Sequence, residues 1–378
     1  MNQIEISIIF PCLNEAETVK ECIDKSFAVL KNLGVSGEVI VIDNGSTDNS
    51  YEIAKSTDAR VVKELRRGYG SAYLRGFQEA RGKYLVMADM DNSYDISQIP
   101  EFVKELKDGY DFVIGSRFKG KILSGAMPWT NRYIGNPILS FILRLFFHTQ
   151  ISDAHCGMRA ITKEAYQRLS LHTTGMEFAS EMIVSALREK LNIKEIPITY
   201  WPRKGKSKLN PIKDAWRHMR FMLLYSPTYL FLIPGLILAF LGVIVLIVLL
   251  PGPFYIAGHG FDMHMMTVGA LAAILGLQVL SLGLYAKTYS FFEGFVKNDK
   301  TLFFILRFFN LEKGILLGIV IFSIGLIANI RIIIKWIAVN FGALDKERLA
   351  LFGITFMIIG VQVIFSSFFL SLLTIRKK

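Results

Sequence analysis

The residues best suited to chemistry are two aspartates, Asp89 and Asp91, placed directly after the apolar run Tyr84–Ala88. Two carboxylates two positions apart at the end of a buried strand can hold a Mg²⁺ or Mn²⁺ that keeps waters and phosphate oxygens as its other ligands. Other polar groups follow short apolar runs in the same way: Glu15 after Pro11, Asp43 after Glu38–Ile42, and Arg117 after Phe112–Gly115. Each alone reads equally well as a tight polar turn, but several in series suggest one shared site. Competing chemistries lack their signatures. There is no G-x-x-x-x-G-K-[ST] phosphate loop, no G-x-G-x-x-G after the first strand, and no H-E-x-x-H among the six histidines. Cys12, Cys22 and Cys156 have neither paired nor metal-like spacing, which suits a reducing compartment.

The elements that must position these groups alternate in type. Strands are expected at Ile6–Phe10, Glu38–Ile42, Arg60–Lys63, Tyr84–Ala88 and Phe112–Gly115. Helical stretches lie between them: one reaching about Leu30, then 49–57, then Gly68–Ala80. Alternation of this kind predicts an α/β domain with a mostly parallel sheet, whose ligands bind beyond the carboxyl ends of the strands.

The rest of the chain belongs in a different solvent. Of 378 residues 52% are hydrophobic, and the mean hydropathy is +0.39. No Asp, Glu, Lys or Arg occurs from Phe221 to Phe261, and further charge-free runs cover Met263–Ala286, Gly314–Ile330 and Leu349–Ile375. A bilayer core needs about 20 apolar residues per helix, so four spans are expected near 229–250, 264–286, 315–337 and 350–374. Arg331 and Lys335 near the end of the third must snorkel or face a partner. Tyr133–His148, with Pro137 in its first turn, and the amphipathic stretch 211–228 read as interfacial helices.

The net charge of +11 collects in a basic segment from Arg203 to Arg220 and in the loops and tail of the apolar half. Nucleic acid is therefore not an expected partner. The loop between the first two spans has no Lys or Arg, whereas that between the second and third carries Lys287, Lys297, Lys300, Arg307 and Lys313. By the positive-inside rule both termini and the N-terminal domain, residues 1–210, are expected in the cytoplasm, with the four-helix domain at 229–378. No cleavable signal is expected.

Taken together the motifs resemble those of a known family. Ser7 to Glu15 (SIIFPCLNE), Val41 to Asp48 (VIDNGSTD) and Ala88-Asp89-Met90-Asp91 are similar to family 2 glycosyltransferases of the GT-A fold. Gly115-Ser116-Arg117, Asp153 to Arg159 (DAHCGMR), Gly175 to Glu181 (GMEFASE) and Arg203 to Leu209 (RKGKSKL) resemble one branch. That branch moves a sugar from a nucleotide to a dolichyl or undecaprenyl phosphate, and the resemblance covers about residues 5–225. It implies a Rossmann-like nucleotide-sugar domain followed by an all-α membrane domain of four transmembrane helices.

The resemblance also implies roles. Pro11, Leu13 and Glu15 would line the nucleotide pocket, and Asp43 would meet the base or ribose. Asp89 and Asp91 would hold Mg²⁺ or Mn²⁺ at the diphosphate, with Asp91 also counted as catalytic. Arg117 would bind donor phosphate; Arg203, Lys206 and Lys208 would bind acceptor phosphate; Asp153 would act on the acceptor. Implied partners are a nucleotide sugar, a polyprenyl phosphate and the bilayer, with a homo-oligomer left open. Two departures stand out: Asn44 replaces a second aspartate, and Ser93 stands where members often have Gln. A processive polysaccharide synthase would carry Gln-x-x-Arg-Trp, which is absent; a degenerate, non-catalytic membrane partner would not keep these acids and bases.

Overall fold

The computed structural model describes residues 4–205, 211–256, 258–292, 302 and 310–375. The chain divides into two compact units, 1–222 and 223–378.

The first unit is built on a seven-stranded sheet. In chain order its elements are β1 (Ile6–Cys12), α1 (Val19–Leu33), β2 (Gly37–Asp43), α2 (Ser50–Lys55), β3 (Arg60–Lys63) and α3 (Tyr69–Glu79). Then come β4 (Tyr84–Met87), α4 (Ile99–Lys107), β5 (Phe112–Ile122), α5 (Asn136–Phe147), β6 (Arg159–Thr162), α6 (Lys163–Arg168), α7 (Phe178–Arg188), β7 (Ile193–Tyr200) and α8 (Pro211–Leu224). The strand order is β3-β2-β1-β4-β6-β5-β7. Ile8, Ile9, Phe10, Ile40, Val41, Leu85 and Val86 are fully buried, so the central strands are apolar on both faces, as helices packed on each side require.

Parallel register brings the functional ends together. β1 pairs with β2 from Ile6↔Gly37 to Cys12↔Asp43, and with β4 from Ile6↔Tyr84 to Ile9↔Met87. The residues following Cys12, Asp43 and Met87 therefore emerge at one edge.

Three features lie outside the sequence expectation. β6 runs antiparallel to β4 and β5, hidden because its four residues begin with a buried arginine. The guanidinium of Arg159 is satisfied by the carbonyls of Cys156, Ala179 and Ala154 at 2.7–2.8 Å. β5 runs seven residues past its expected end, and its pairing with β7 breaks register between Ser116 and Lys121. That irregularity re-aims Arg117, the first residue past the regular ladder.

The second unit has four helices long and apolar enough to cross a membrane: Thr228–Leu249, Met263–Phe292, Leu311–Ala338 and Glu347–Thr374. They agree with the four expected spans to within a few residues at most ends. The helices proper are α9 (Ile233–Leu249), α10 (Met263–Phe292), α11 (Leu311–Ala338) and α12 (Glu347–Ile375). This unit is not purely helical, because β8 (Phe254–Ile256) and β9 (His259–Phe261) form an antiparallel hairpin between α9 and α10.

Glycines set the helix contacts. A Cβ on Gly235 of α9 would lie 2.6 Å from the Leu280 nitrogen of α10, and one on Gly360 of α12 would lie 2.6 Å from the Phe322 nitrogen of α11. Without side chains there the backbones approach closely, the packing that lipid-embedded helices use in place of hydrophobic burial. Arg331 and Lys335 are exposed on α11.

Candidate active site

The β1 and β2 ends are knitted into one wall. Asn14, held at φ 55°, accepts from the Thr47 amide at 2.7 Å, and the Glu15 amide donates to Ser50 Oγ at 2.7 Å. Pro11, Leu13 and Glu15 are half-buried along this wall. Asp43 is buried and accepts from the Ser46 amide at 3.2 Å.

Asn44 has a specific task. Its amide nitrogen donates to the carbonyls of Glu64 and Arg66 at 3.0 and 2.9 Å, and its oxygen accepts from the Gly68 amide at 2.7 Å. It fastens the loop that leads from β3 into α3. A carboxylate could accept from Gly68 but could not donate to the two carbonyls, so the departure from the usual aspartate is a structural substitution of function.

The aspartate pair lies beyond β4. Asp91 is buried, and its Oδ1 accepts from the Ser93 amide at 3.0 Å and from Ser93 Oγ at 2.5 Å. Ser93 thus orients Asp91. Asp89 is half-buried, with Tyr73 Oη 3.5 Å from its Oδ1. Burial and the neighbouring Asp91 carboxylate together raise Asp89 above the usual carboxylate range. Gly157 leaves room beside it, since a Cβ there would lie 2.7 Å from Asp89 Oδ2.

A strap following β7 crosses this loop. The Trp201 amide donates to the Ser93 carbonyl at 2.9 Å and the Lys204 amide to the Asp91 carbonyl at 3.1 Å. Arg203 between them reaches Glu15 Oε1 at 3.3 Å and lies 3.7 Å from Asp91 Oδ2. Lys206 and Lys208 fall outside the described residues.

Arg117 and Asp153 form a closed pair. Asp153, 0% exposed, accepts from the Arg117 amide, Nε and Nη2 at 3.0, 2.7 and 2.7 Å. Burial works against the Arg117 charge, but the carboxylate more than offsets it and holds the guanidinium well above its ordinary pKa. Both Asp153 oxygens accept from Arg117, which fixes the orientation of the guanidinium. Burial pushes the thiols of Cys12, Cys22 and Cys156 each up to about 12, which disfavours the thiolate form.

A family description, Glycosyl transferase family 2, matches residues 7–170, and a second, Glycosyltransferase family 2 C-terminal transmembrane region, matches residues 284–374. Over 366 residues the chain is 37% identical to the low-salt glycan biosynthesis hexosyltransferase Agl6 of Haloferax volcanii, covering 97% of this chain and 88% of that one. The chain belongs to the family 2 glycosyltransferases. Glycosyltransferase AglJ of the same organism is 32% identical over 217 residues, covering 56% of this glycosyltransferase and 68% of that one. Among solved structures, glucosyl-3-phosphoglycerate synthase from Mycobacterium tuberculosis superposes with a TM-score of 0.48 at 21% identity, covering 58% and 79% of the two chains.

This glycosyltransferase also has site features that its sequence did not announce. A cavity of about 330 Å³ lies between β5 and the start of α5, with Arg117, Arg132, Tyr133 and Pro137 among its lining. Arg132 stacks on Tyr133 with 5.4 Å from guanidinium carbon to ring centre. Beside it α5 presents an apolar face to the outside: Ile138, Phe141 and Leu145 are all exposed, as are Trp129 and Tyr133. The expectation of an interfacial segment at 133–148 took in Tyr133, Ile138, Phe141 and Leu145 but neither Trp129 nor Arg132, whose charge one position earlier was the available signal.

The Asn44 clamp has a direct test. Asn44→Asp should raise the apparent KM for the nucleotide sugar by about tenfold, because a carboxylate facing two carbonyls must turn away and release the 64–68 loop. An unchanged donor KM, with the thermal midpoint also unchanged, would show that the loop does not shape the donor pocket.

Proposed function

We propose that this glycosyltransferase transfers a hexose from a nucleoside diphosphate sugar to a polyprenyl phosphate at the inner face of a membrane, with inversion at the anomeric carbon. The observation that carries the acceptor assignment is the two-arginine cavity opening beside the exposed apolar face of α5. A phosphate head with an apolar tail needs that pairing of charge and apolar surface. A sugar hydroxyl acceptor needs neither.

The residues present suit a divalent cation. Among the described residues no group of three or more His, Cys, Asp and Glu gathers as a metal cage. Mg²⁺ is commonly held by one or two carboxylates together with substrate phosphates. Asp89 and Asp91 would be those carboxylates, two acids that burial and mutual repulsion set against each other as long as both stay ionised. When bound, the cation would supply charge to the departing diphosphate.

The chain's own residues account for the rest. Glu15 and Asp43 face the nucleotide along the β1–β2 wall, and Arg203 stands at the diphosphate end, next to Asp91. Arg117, which the resemblance implied at the donor phosphate, is assigned here to the acceptor phosphate together with Arg132, and Asp153 orients it. One phosphate oxygen attacks the anomeric carbon as its bond to the diphosphate oxygen breaks, and the nucleoside diphosphate leaves with that electron pair. The attacking oxygen is already anionic at neutral pH, so no side chain must remove a proton. That agrees with Asp153 being engaged elsewhere.

The Lys/Arg distribution supports a cytoplasmic first unit and an even number of spans. The decisive experiment supplies purified protein with radiolabelled UDP- and GDP-hexoses and either polyprenyl phosphate or polyprenol. Label in a lipid of one added hexose, seen only with the phosphate, is the expected result. Label in a growing polymer, or transfer to polyprenol as fast as to its phosphate, would overturn the reading.

A further inference from the structure

Glu195 lies on β7 opposite Ile114 of β5 and is not among the residues that line the cavity. Its side chain is 6% exposed. Such a buried acid ordinarily serves as a cross-strand ion pair, and its Oε2 does face Lys119 Nζ at 2.6 Å. The other oxygen has a different occupation. Oε1 accepts three hydrogen bonds, from the Ser152 amide, Ser152 Oγ and the Asp153 amide, each at 2.9 Å. Ser152 Oγ is also 2.9 Å from Ser116 Oγ, which in turn accepts from the Lys119 amide at 3.1 Å.

The turn that carries Asp153 is therefore anchored at its backbone by one oxygen of Glu195, while the Asp153 side chain grips Arg117 through three nitrogens. Arg117 sits where the β5–β7 ladder breaks register, so the regular backbone pairing no longer fixes its place. We infer that Glu195 is a positioning residue for transfer: by holding the Ser152–Asp153 turn it sets the Arg117 guanidinium at the acceptor phosphate. This rests on the reading that Arg117 meets that phosphate.

The three hydrogen bonds converge on a single oxygen, which makes the role separable from charge. Glu195→Gln can keep a carbonyl oxygen in the Oε1 place while losing the ion pair with Lys119. Glu195→Ala removes both, and Lys119→Ala removes only the pair. The expected result is a fall of about a hundredfold in kcat/KM for polyprenyl phosphate in Glu195→Ala, the scale of a small misplacement in a reacting site. Donor affinity by calorimetry should hold, Glu195→Gln should recover most of the loss, and Lys119→Ala should stay near the parent. Hydrogen exchange across residues 150–156 gives a readout that needs no acceptor: protection of the Ser152 and Asp153 amides should drop in the alanine variant and persist in the glutamine one.

Parent-like kinetics and exchange in Glu195→Ala would overturn the inference. So would equal losses in Ala and Gln, which would make the residue a plain ion-pair partner, or a matching loss of donor affinity, which would mean general disruption. A parent enzyme that leaves polyprenyl phosphate unglycosylated would instead end the proposed function, and the exchange comparison would still decide whether Glu195 holds the turn.

Discussion

Asp89→Asn and Asp91→Asn should each lower transfer by about a thousandfold or more while leaving the fold intact, and excess EDTA should do the same to the parent enzyme. The size follows from the proposed chemistry of departure: a nucleoside diphosphate would leave with charge that this pair, with a bound cation, would offset. The structure adds a distinction between the two positions. Asp91 is oriented by Ser93 through 3.0 and 2.5 Å hydrogen bonds, so its amide variant keeps a ready partner. Asp89 lies against burial and like charge, so its neutral variant should fold at least as stably as the parent. A gain in thermal midpoint for Asp89→Asn alone, combined with loss of activity, is the expected signature. Full turnover in EDTA would remove the cation from the reaction and leave the pair as nucleotide contacts.

Arg203→Ala carries the second large effect. The resemblance implies an acceptor role, and the side chain is found 3.3 Å from Glu15 and 3.7 Å from Asp91, which the proposed function places at the donor. Losing a charge-assisted contact of about 1.5–3 kcal/mol corresponds to roughly a ten- to hundredfold weakening. We expect that weakening in the nucleotide-sugar Kd measured by calorimetry without any lipid. Intact donor affinity with a raised KM for polyprenyl phosphate would return Arg203 to the acceptor side.

What could be read along the chain was what repeats locally. Arg60–Lys63 was identifiable from its apolar, β-branched residues, and the four spans from their length and lack of charge. Strand ends pointed to Glu15, Asp43, Asp89, Asp91 and Arg117 because parallel register must collect such ends at one edge. The partners of these groups were not legible, since they are set by contacts between distant positions. Asn44 read as a missing acid, yet it is a clamp on residues 64–68. Asp153 gave no sign of its partner, because Arg117 lies 36 positions away. Arg203 meets Glu15 across 188 positions. β6 escaped because a fully buried arginine opens it, and hydrophobic patterning has no place for one.

The glycine contacts of the second unit bear on how the protein is made. Gly235 and Gly276 serve the α9–α10 contact, whereas Gly318, Gly325 and Gly360 serve α11–α12. Each set joins neighbours in the chain, so each pair can zip shut as soon as its second helix leaves the ribosome, without waiting for the other. A wedge such as Gly276→Leu would then spoil the earlier hairpin and leave the later one able to close, giving a half-assembled membrane domain.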